Sequence, residues 1–323
     1  MVRRRIDSRS AFCLFGAVPT KFSGSECSNE GRPGGWARRL FLRSVPVAVL
    51  LSSARAISAE PPVAQPPLRT RAEVAAVLRL AEPPAANPRP LRILLVAGPK
   101  DHGKGEHDYP AWQKAWAPLV AKSPAVTVET AFPFPTTEQF AAADLAVFYL
   151  KGKWDAAQLV ELEKFQNRGG GVVTIHWAIG VTGEPLQFAK RVGLAYPAAK
   201  YRHGVVDLKL VTDHPITRGF PATLRFTDES YWPFIGDTAR VRLLGTSDEK
   251  AGAGDALLPI PIFWTHEPAG GGRAFVCIFG HYTWTFDDPL FRLLLLRGMA
   301  WAAREPVTRF DALATDGIKF NEP

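Results

Sequence analysis

Four histidines, His102, His107, His176 and His281, each stand in a polar segment that directly follows an apolar, strand-like run. Imidazole has an unperturbed pKa of about 6.5, so near neutral pH such a group can give or take a proton, or offer a lone pair to a metal ion. The densest segment is Gly98-Pro99-Lys100-Asp101-His102-Gly103-Lys104-Gly105-Glu106-His107-Asp108-Tyr109-Pro110, where histidines, acids and lysines crowd around flexible glycines. That density above a strand points to a role beyond folding. A glycine-rich loop ahead of a helix can also cradle phosphate, but neither the dinucleotide fingerprint nor the Walker pattern is present. In Gly169-Gly170-Gly171-Val172-Val173-Thr174-Ile175-His176-Trp177-Ala178 a strand ends on His176, at the turn where an α/β hydrolase would place its nucleophile. An imidazole there excludes acyl-enzyme chemistry and leaves His176 as a general base or a metal ligand. A capped, hydrogen-bonded histidine at a strand end is the plainer alternative.

The segment Phe279-Gly280-His281-Tyr282-Thr283-Trp284-Thr285-Phe286-Asp287-Asp288-Pro289 sets rings beside polar tips. Flat faces next to convergent donors and acceptors suit a sugar, whose C–H faces stack while its hydroxyls find partners. His176, His281 and Glu229 are therefore the catalytic candidates. His102, His107, Tyr109, Trp177, Tyr231, Tyr282 and Trp284 are the substrate-binding ones. Asp288 reads as a helix N-cap rather than a catalytic acid, and Asp287 stays open. Glu229 is the best acid of a weaker group that also holds Tyr201-Arg202-His203-Gly204, Asp213-His214-Pro215 and Trp264-Thr265-His266-Glu267. His214, ahead of Pro215, reads as part of an ordinary turn. His266 either reaches the same cleft or sits in a surface turn before Gly270.

These groups need a frame that gathers them. Strand-like runs at Leu91 to Ala97, Val126 to Ala131, Asp144 to Leu150 and Gly171 to His176 alternate with helical stretches at Trp112 to Ala121, Asp155 to Asn167 and Pro185 to Val192. The alternation predicts an α/β fold with a doubly wound, mostly parallel sheet, which binds ligands beyond the carboxyl ends of its strands. The second half is β-rich, with candidates at Val205 to Val211, Leu224 to Thr227, Val241 to Gly245, Pro261 to Trp264 and Ala274 to Phe279. A last helix starts at Asp288-Pro289 and runs to about Ala303. The predicted domain covers residues 91–305. Before it lies a proline-rich linker, residues 60–90, broken by one short helical stretch at Arg71 to Leu80; after it comes a tail, residues 306–323.

The chain has 323 residues, 46% of them hydrophobic and 22% charged, the balance of a globular protein with one substantial core. Its net charge of +8 is concentrated in the first 59 residues, so it is read as part of a targeting signal and not as a nucleic-acid surface. Ala37-Arg38-Arg39-Leu40-Phe41-Leu42-Arg43 follows the twin-arginine export pattern, with a short apolar stretch, Val45 to Leu51, and small residues behind it. The expectation is a bacterial protein exported to the periplasm. That apolar stretch is far shorter than the roughly 20 residues of a spanning helix, which argues against a permanent membrane anchor. Residues 1 to 35 fit neither a core nor a short signal, leaving the start codon and cleavage site open. Of the three cysteines only Cys277 lies beyond the leader, inside an apolar run, so neither a disulfide framework nor a four-cysteine zinc site is expected.

The loop from Gly98 to Trp112, the segment from Gly169 to Ala178, Asp213-His214-Pro215-Ile216, Glu229-Ser230-Tyr231 and the segment from Gly280 to Pro289 together resemble the trehalose-utilisation (ThuA-like) family of the class I glutamine amidotransferase-like superfamily. The resemblance spans nearly all of residues 91–305 and implies a flavodoxin-like fold and a link to carbohydrate metabolism, with a disaccharide, glycoside or keto-sugar as ligand. No cysteine stands at the elbow, which rules out glutamine hydrolysis. Two functions follow. One is an exported enzyme with hydrolase- or isomerase-type sugar chemistry, using His176, His281 and Glu229 for acid/base work, or His102, His107, His176 and His281 to hold a divalent metal such as zinc. The pattern fixes no cofactor, because none of the histidine pairs has a short helical ligand spacing. The other is a carbohydrate- or partner-binding protein that uses the same cleft without turnover. An open edge on the β-rich half would suit a homodimer.

Overall fold

The computed structural model describes residues 63–79 and 87–322. Strands β1 (Leu91–Ala97), β3 (Leu145–Tyr149) and β4 (Gly171–Ile175) are almost continuous apolar runs and almost wholly buried, as parallel strands covered on both faces must be. β2 (Val126–Ala131) mixes polar and apolar residues and forms an edge. Helices α2 (Tyr109–Val120), α3 (Thr137–Ala142), α4 (Ala156–Asn167) and α5 (Pro185–Val192) connect them. Asp108, Thr136 and Asp155 start the first three, each side chain accepting a hydrogen bond from an amide of the first turn. α3 escapes sequence reading because six residues are too few to show a helical period.

The second half supplies β5 (Leu194–Ala195), β6 (Lys200–Leu210), β7 (Thr223–Trp232), β8 (Ile235–Gly236), β9 (Arg242–Lys250), β10 (Leu257–His266), β11 (Arg273–Cys277) and helix α6 (Pro289–Ala302). Nine strands form one sheet in the order β2-β1-β3-β4-β11-β10-β9-β6-β7, while β5 and β8 pair apart from it. Pairing is parallel from β2 through β11 and antiparallel from β11 through β7. The doubly wound α/β arrangement therefore builds the core, and the β-rich half extends the same sheet with the opposite strand sense. β11 inserts beside β4, which brings the loop after β11 against the turn after β4.

The segments expected as linker and tail are built into the domain where they are described. Helix α1 (Arg71–Leu78), started by a reciprocal Thr70–Glu73 capping box, buries Val74 and Val77. Ahead of it Arg69 donates to Asp288 at 2.8 Å and to the carbonyl of Arg225 at 2.6 Å. Beyond α6, the 3-10 turns Val307–Leu313 bury Phe310, and Asp311 meets Arg297 at 2.8 Å. These segments carry apolar side chains with a core to join, so they pack. The expected export leader, residues 1–59, lies outside the described residues. Among the described residues no helix is long and apolar enough to cross a membrane.

Candidate metal centre

β1, β3, β4 and β11 run parallel and close together, so the loops leaving their carboxyl ends share one rim. His107 comes from the loop after β1, His176 is the first residue beyond β4, and His281 follows β11. Glu229 arrives from β7, opposite His203 in the β6–β7 hairpin. Backbone hydrogen bonds tie the loops together: His107 N donates to His281 O at 3.0 Å and Thr283 N to Gly105 O at 2.8 Å. His107 (φ 41°) and His176 (φ 56°) both sit in the left-handed region. That conformation costs a residue with a Cβ about 1–2 kcal/mol and persists where surrounding contacts dictate it. At Gly280 (φ 129°) a Cβ would fall 3.1 Å from Ile175 Cγ2 and 3.3 Å from His176 Cβ, so only glycine lets these two segments approach.

The four side chains converge. His107 Nε2 lies 2.8 Å from His176 Nε2 and 2.9 Å from His281 Nδ1. Glu229 Oε2 lies 3.0 Å from His281 Nδ1 and 3.3 Å from His176 Nε2. All four residues are buried. Two of the three outer ring nitrogens are spoken for: His107 Nδ1 donates to Asp101 Oδ1 at 2.9 Å and His176 Nδ1 to the carbonyl of Ile278 at 2.7 Å. These acceptors assign the ring protons of both to Nδ1, which turns the Nε2 lone pairs of His107 and His176 toward each other at 2.8 Å, with the Tyr231 hydroxyl 2.8 Å from His176 Nε2. Two lone pairs that close repel unless a cation lies between them.

The electrostatics agree. Burial pushes His107 down to about 3, aided by the neighbouring histidines and opposed by Asp101, so its ring is neutral. Burial would raise Glu229, but the three imidazoles that face it, those of His176, His203 and His281, outweigh it and hold the carboxyl well below the usual range. Asp101 follows the same pattern, with burial overcome by hydrogen bonds from His107 and His102. Neutral imidazoles and an ionised carboxylate are the forms that ligate a metal. Three imidazole nitrogens and one carboxylate oxygen, mutually within 4.8 Å, suit a zinc-type ion. Around such an ion, with bonds of about 2.0–2.1 Å, tetrahedral donors stand about 3.3 Å apart, and the four neighbouring donor pairs here, at 2.8–3.3 Å, lie within about half an ångström of that.

A cavity of about 360 Å³ opens on the Glu229 and His281 side of the cluster, within the size range of small-molecule sites. Trp177, Tyr196, Tyr201 and Tyr231 give it aromatic walls, with His102, Glu106 and His203 supplying polar tips. Tyr196 and Tyr231 stack at 4.3 Å. His281 Nε2 is buried without a hydrogen-bond partner, with Glu106 Oε1 3.8 Å away. His203 bridges Glu229 Oε1 at 3.2 Å and the Tyr282 hydroxyl at 3.0 Å, and its hydrogen bond to Glu229 raises its pKa.

The remaining sequence candidates fall into place around this centre. His102, expected among the metal ligands, stands beside the four-residue cluster, bound through Nδ1 to Asp101 at 2.9 Å, and Glu229, expected as a catalytic acid, is the fourth donor in its place. Tyr109 has no exposed surface; its hydroxyl meets His107 Nδ1 at 3.0 Å, so it supports the ring from below instead of touching a sugar. Trp284 is turned away: it stacks on Tyr282 at 4.2 Å, donates to the Thr227 carbonyl and lines a different cavity with Arg69. Trp177 and Tyr231 face the cavity, and Tyr282 reaches it through His203. His214 accepts from the Ile216 amide at 3.2 Å, and His266 lies between the carbonyls of Arg240 and Lys190. Asp288 caps α6, Asp287 is near Arg292, and Cys277 is buried with its thiol on the Phe279 carbonyl. The sequence places His203 and Asp228 only in a weaker group, without a role, and gives no sign of Tyr196. Asp228 is buried and accepts from Gly280 N and His281 N at 3.1 Å each, fixing the loop that carries His281.

A family model described as trehalose utilisation (ThuA) matches residues 93–302. The chain belongs to the ThuA family. A ThuA-like protein from Parabacteroides merdae is 21% identical over 66% of this chain and 90% of its own, with a TM-score of 0.52. Another from Bacteroides uniformis is 19% identical over 69% of this chain and 95% of its own, with a TM-score of 0.54. Both share the ThuA fold with this chain. Comparison with curated proteins finds no match. The ThuA match runs from β1 to the end of α6, so it includes every residue of the cluster, and its description points to a carbohydrate-related role.

Proposed function

We propose that this ThuA chain binds a divalent metal ion of the zinc type through His107, His176, His281 and Glu229, and acts with it on a carbohydrate in the adjoining cavity. The carrying observation is the convergence of four buried donor atoms from four separate segments, with the ring protons of His107 and His176 fixed on the far side. When bound, the ion supplies Lewis-acid polarisation of a sugar oxygen. The protein does the rest. Trp177 and Tyr201 offer flat faces to the sugar ring, and Glu106 and His102 meet its hydroxyls. Glu229 stands on the cavity side, and its Oε1, hydrogen-bonded to His203, gives the pair a route for moving a proton. A disaccharide or glycoside is the substrate class that the family description supports. Export by the twin-arginine route belongs to the same proposal and rests on the sequence of residues 1–59; a reporter fused to that leader tests it.

One observation favours a second reading. Four protein donors complete a tetrahedral shell, as in metal sites that only hold structure, whereas catalytic sites keep a position open. The ion would then brace the rim, and the cavity would bind sugar without turnover. Untagged protein, loaded with zinc and dialysed, is expected to retain one ion per chain, and His107→Ala and His176→Ala to lose it. Metal-dependent turnover on a panel of disaccharides and glycosides supports the enzyme; sugar binding without turnover supports the second reading. Absence of a stoichiometric ion removes both.

A further inference from the structure

A second cavity, of about 400 Å³, lies at the carboxyl ends of β1 and β3 and shares Asp101 with the site above. Chain order along the sheet reverses between these two strands, with β2 on one side and β3 followed by β4 on the other. In doubly wound sheets that reversal is where ligands enter. Phe134 and Trp154 meet edge to face at 5.8 Å and form an apolar corner. The indole N–H of Trp154 is spent on the Ala178 carbonyl at 2.8 Å, so the ring offers the cavity only its apolar surface. Two ammonium groups stand at the rim. Lys153 is exposed and makes no ion pair among the described residues. Lys151 lies over the Trp177 ring at 4.6 Å, with Asp101 Oδ2 at 3.8 Å.

Trp177 lines the cavity beside the metal cluster and Lys151 lines this one, so the Lys151–Trp177 pair borders both spaces. Backbone holds the pair in place: Gly152 N donates to Trp177 O at 3.0 Å, and a Cβ on Gly152 would fall 2.1 Å from Gly180 O. We infer that this cavity is a second subsite, which takes the non-reacting end of an extended ligand: a flat apolar group bearing a carboxylate, joined to the sugar held next door. Phe134 and Trp154 recognise the flat group and Lys153 the anion. The inference rests on the carbohydrate reading of the neighbouring cavity.

The test uses the full chain and three probes, read by calorimetry: methyl glucoside, 4-carboxyphenyl glucoside, each as both anomers, and 4-hydroxybenzoate. The carboxyphenyl glucoside should bind about tenfold more tightly than the methyl glucoside, the gain expected of one well-seated ring. Phe134→Ala and Lys153→Glu should each erase most of that advantage, leave methyl glucoside affinity unchanged and melt within a few degrees of the parent. Equal affinity for the two glucosides, or an advantage that survives both substitutions, overturns the subsite while leaving the carbohydrate reading intact. If neither glucoside binds but 4-hydroxybenzoate does, and Phe134→Ala weakens it, the subsite stands and the carbohydrate reading falls. Binding of none of the three overturns the inference.

Discussion

Asp101 accepts hydrogen bonds from His102 and His107 through a single oxygen, each at 2.9 Å. The carboxylate fixes the tautomer of His107 and raises its basicity as a donor. Asp101→Asn keeps the shape but presents a neutral amide, and is expected to weaken zinc binding by about 10–100-fold. Competition against a chromophoric chelator checks this; unchanged affinity would mean that Asp101 does not orient the ring. Glu229→Gln is a sharper probe. Its amide cannot satisfy His203, Tyr231 and the imidazole pair at once, so both metal content and turnover should fall, while a substitution at Trp284, on the far side of Tyr282, should alter neither.

The elements decide which of these residues could be found beforehand. Leu91–Ala97, Val126–Ala131 and Pro185–Val192 match their expected bounds because apolar runs and a helical period mark them plainly. The second half was less legible. β7 extends to Trp232, far past the expected end at Thr227, because Asp228-Glu229-Ser230 reads as a loop although it is buried strand. Polar residues placed inward for a site break the alternation by which strands are recognised. His203 had no assigned role for the same reason: only the β6–β7 register sets it opposite Glu229, and a slip of β6 by one residue would turn its side chain to the other face. His214 carries a prediction at this scale. Burial holds its pKa below the ordinary value, and its Nδ1 already accepts from the Ile216 amide, so the unfolded chain takes up a proton more readily than the folded one. Its contribution should be complete above pH about 6.5 and decline as pH falls below that. His214→Asn keeps an acceptor without titrating, so the stability advantage of the parent over the variant should shrink from neutral pH toward pH 5; a constant difference in urea unfolding would sink the assignment.

At the scale of the whole molecule, segments flanking the sheet hold it together. Arg297, buried on α6, donates to Asp311 and to the carbonyl of Arg218, and with Arg292 on the Asp316 carbonyl and Arg309 on the Pro124 carbonyl it fastens the chain beyond α6 to the core. Arg297→Met leaves Asp311 buried without its partner and should cost about 3–5 kcal/mol by chemical denaturation. The double variant with Asp311→Leu should recover much of the loss, since removing both charges avoids the orphan. The four metal donors are spread from residue 107 to residue 281 and lie on strands or loops that meet only through β11, the last strand of the sheet. A nascent polypeptide that has not yet emerged past β11 cannot assemble the cage, so on the proposed reading metal capture would be a late event in biogenesis, and an ion locked into place would report that the sheet has closed.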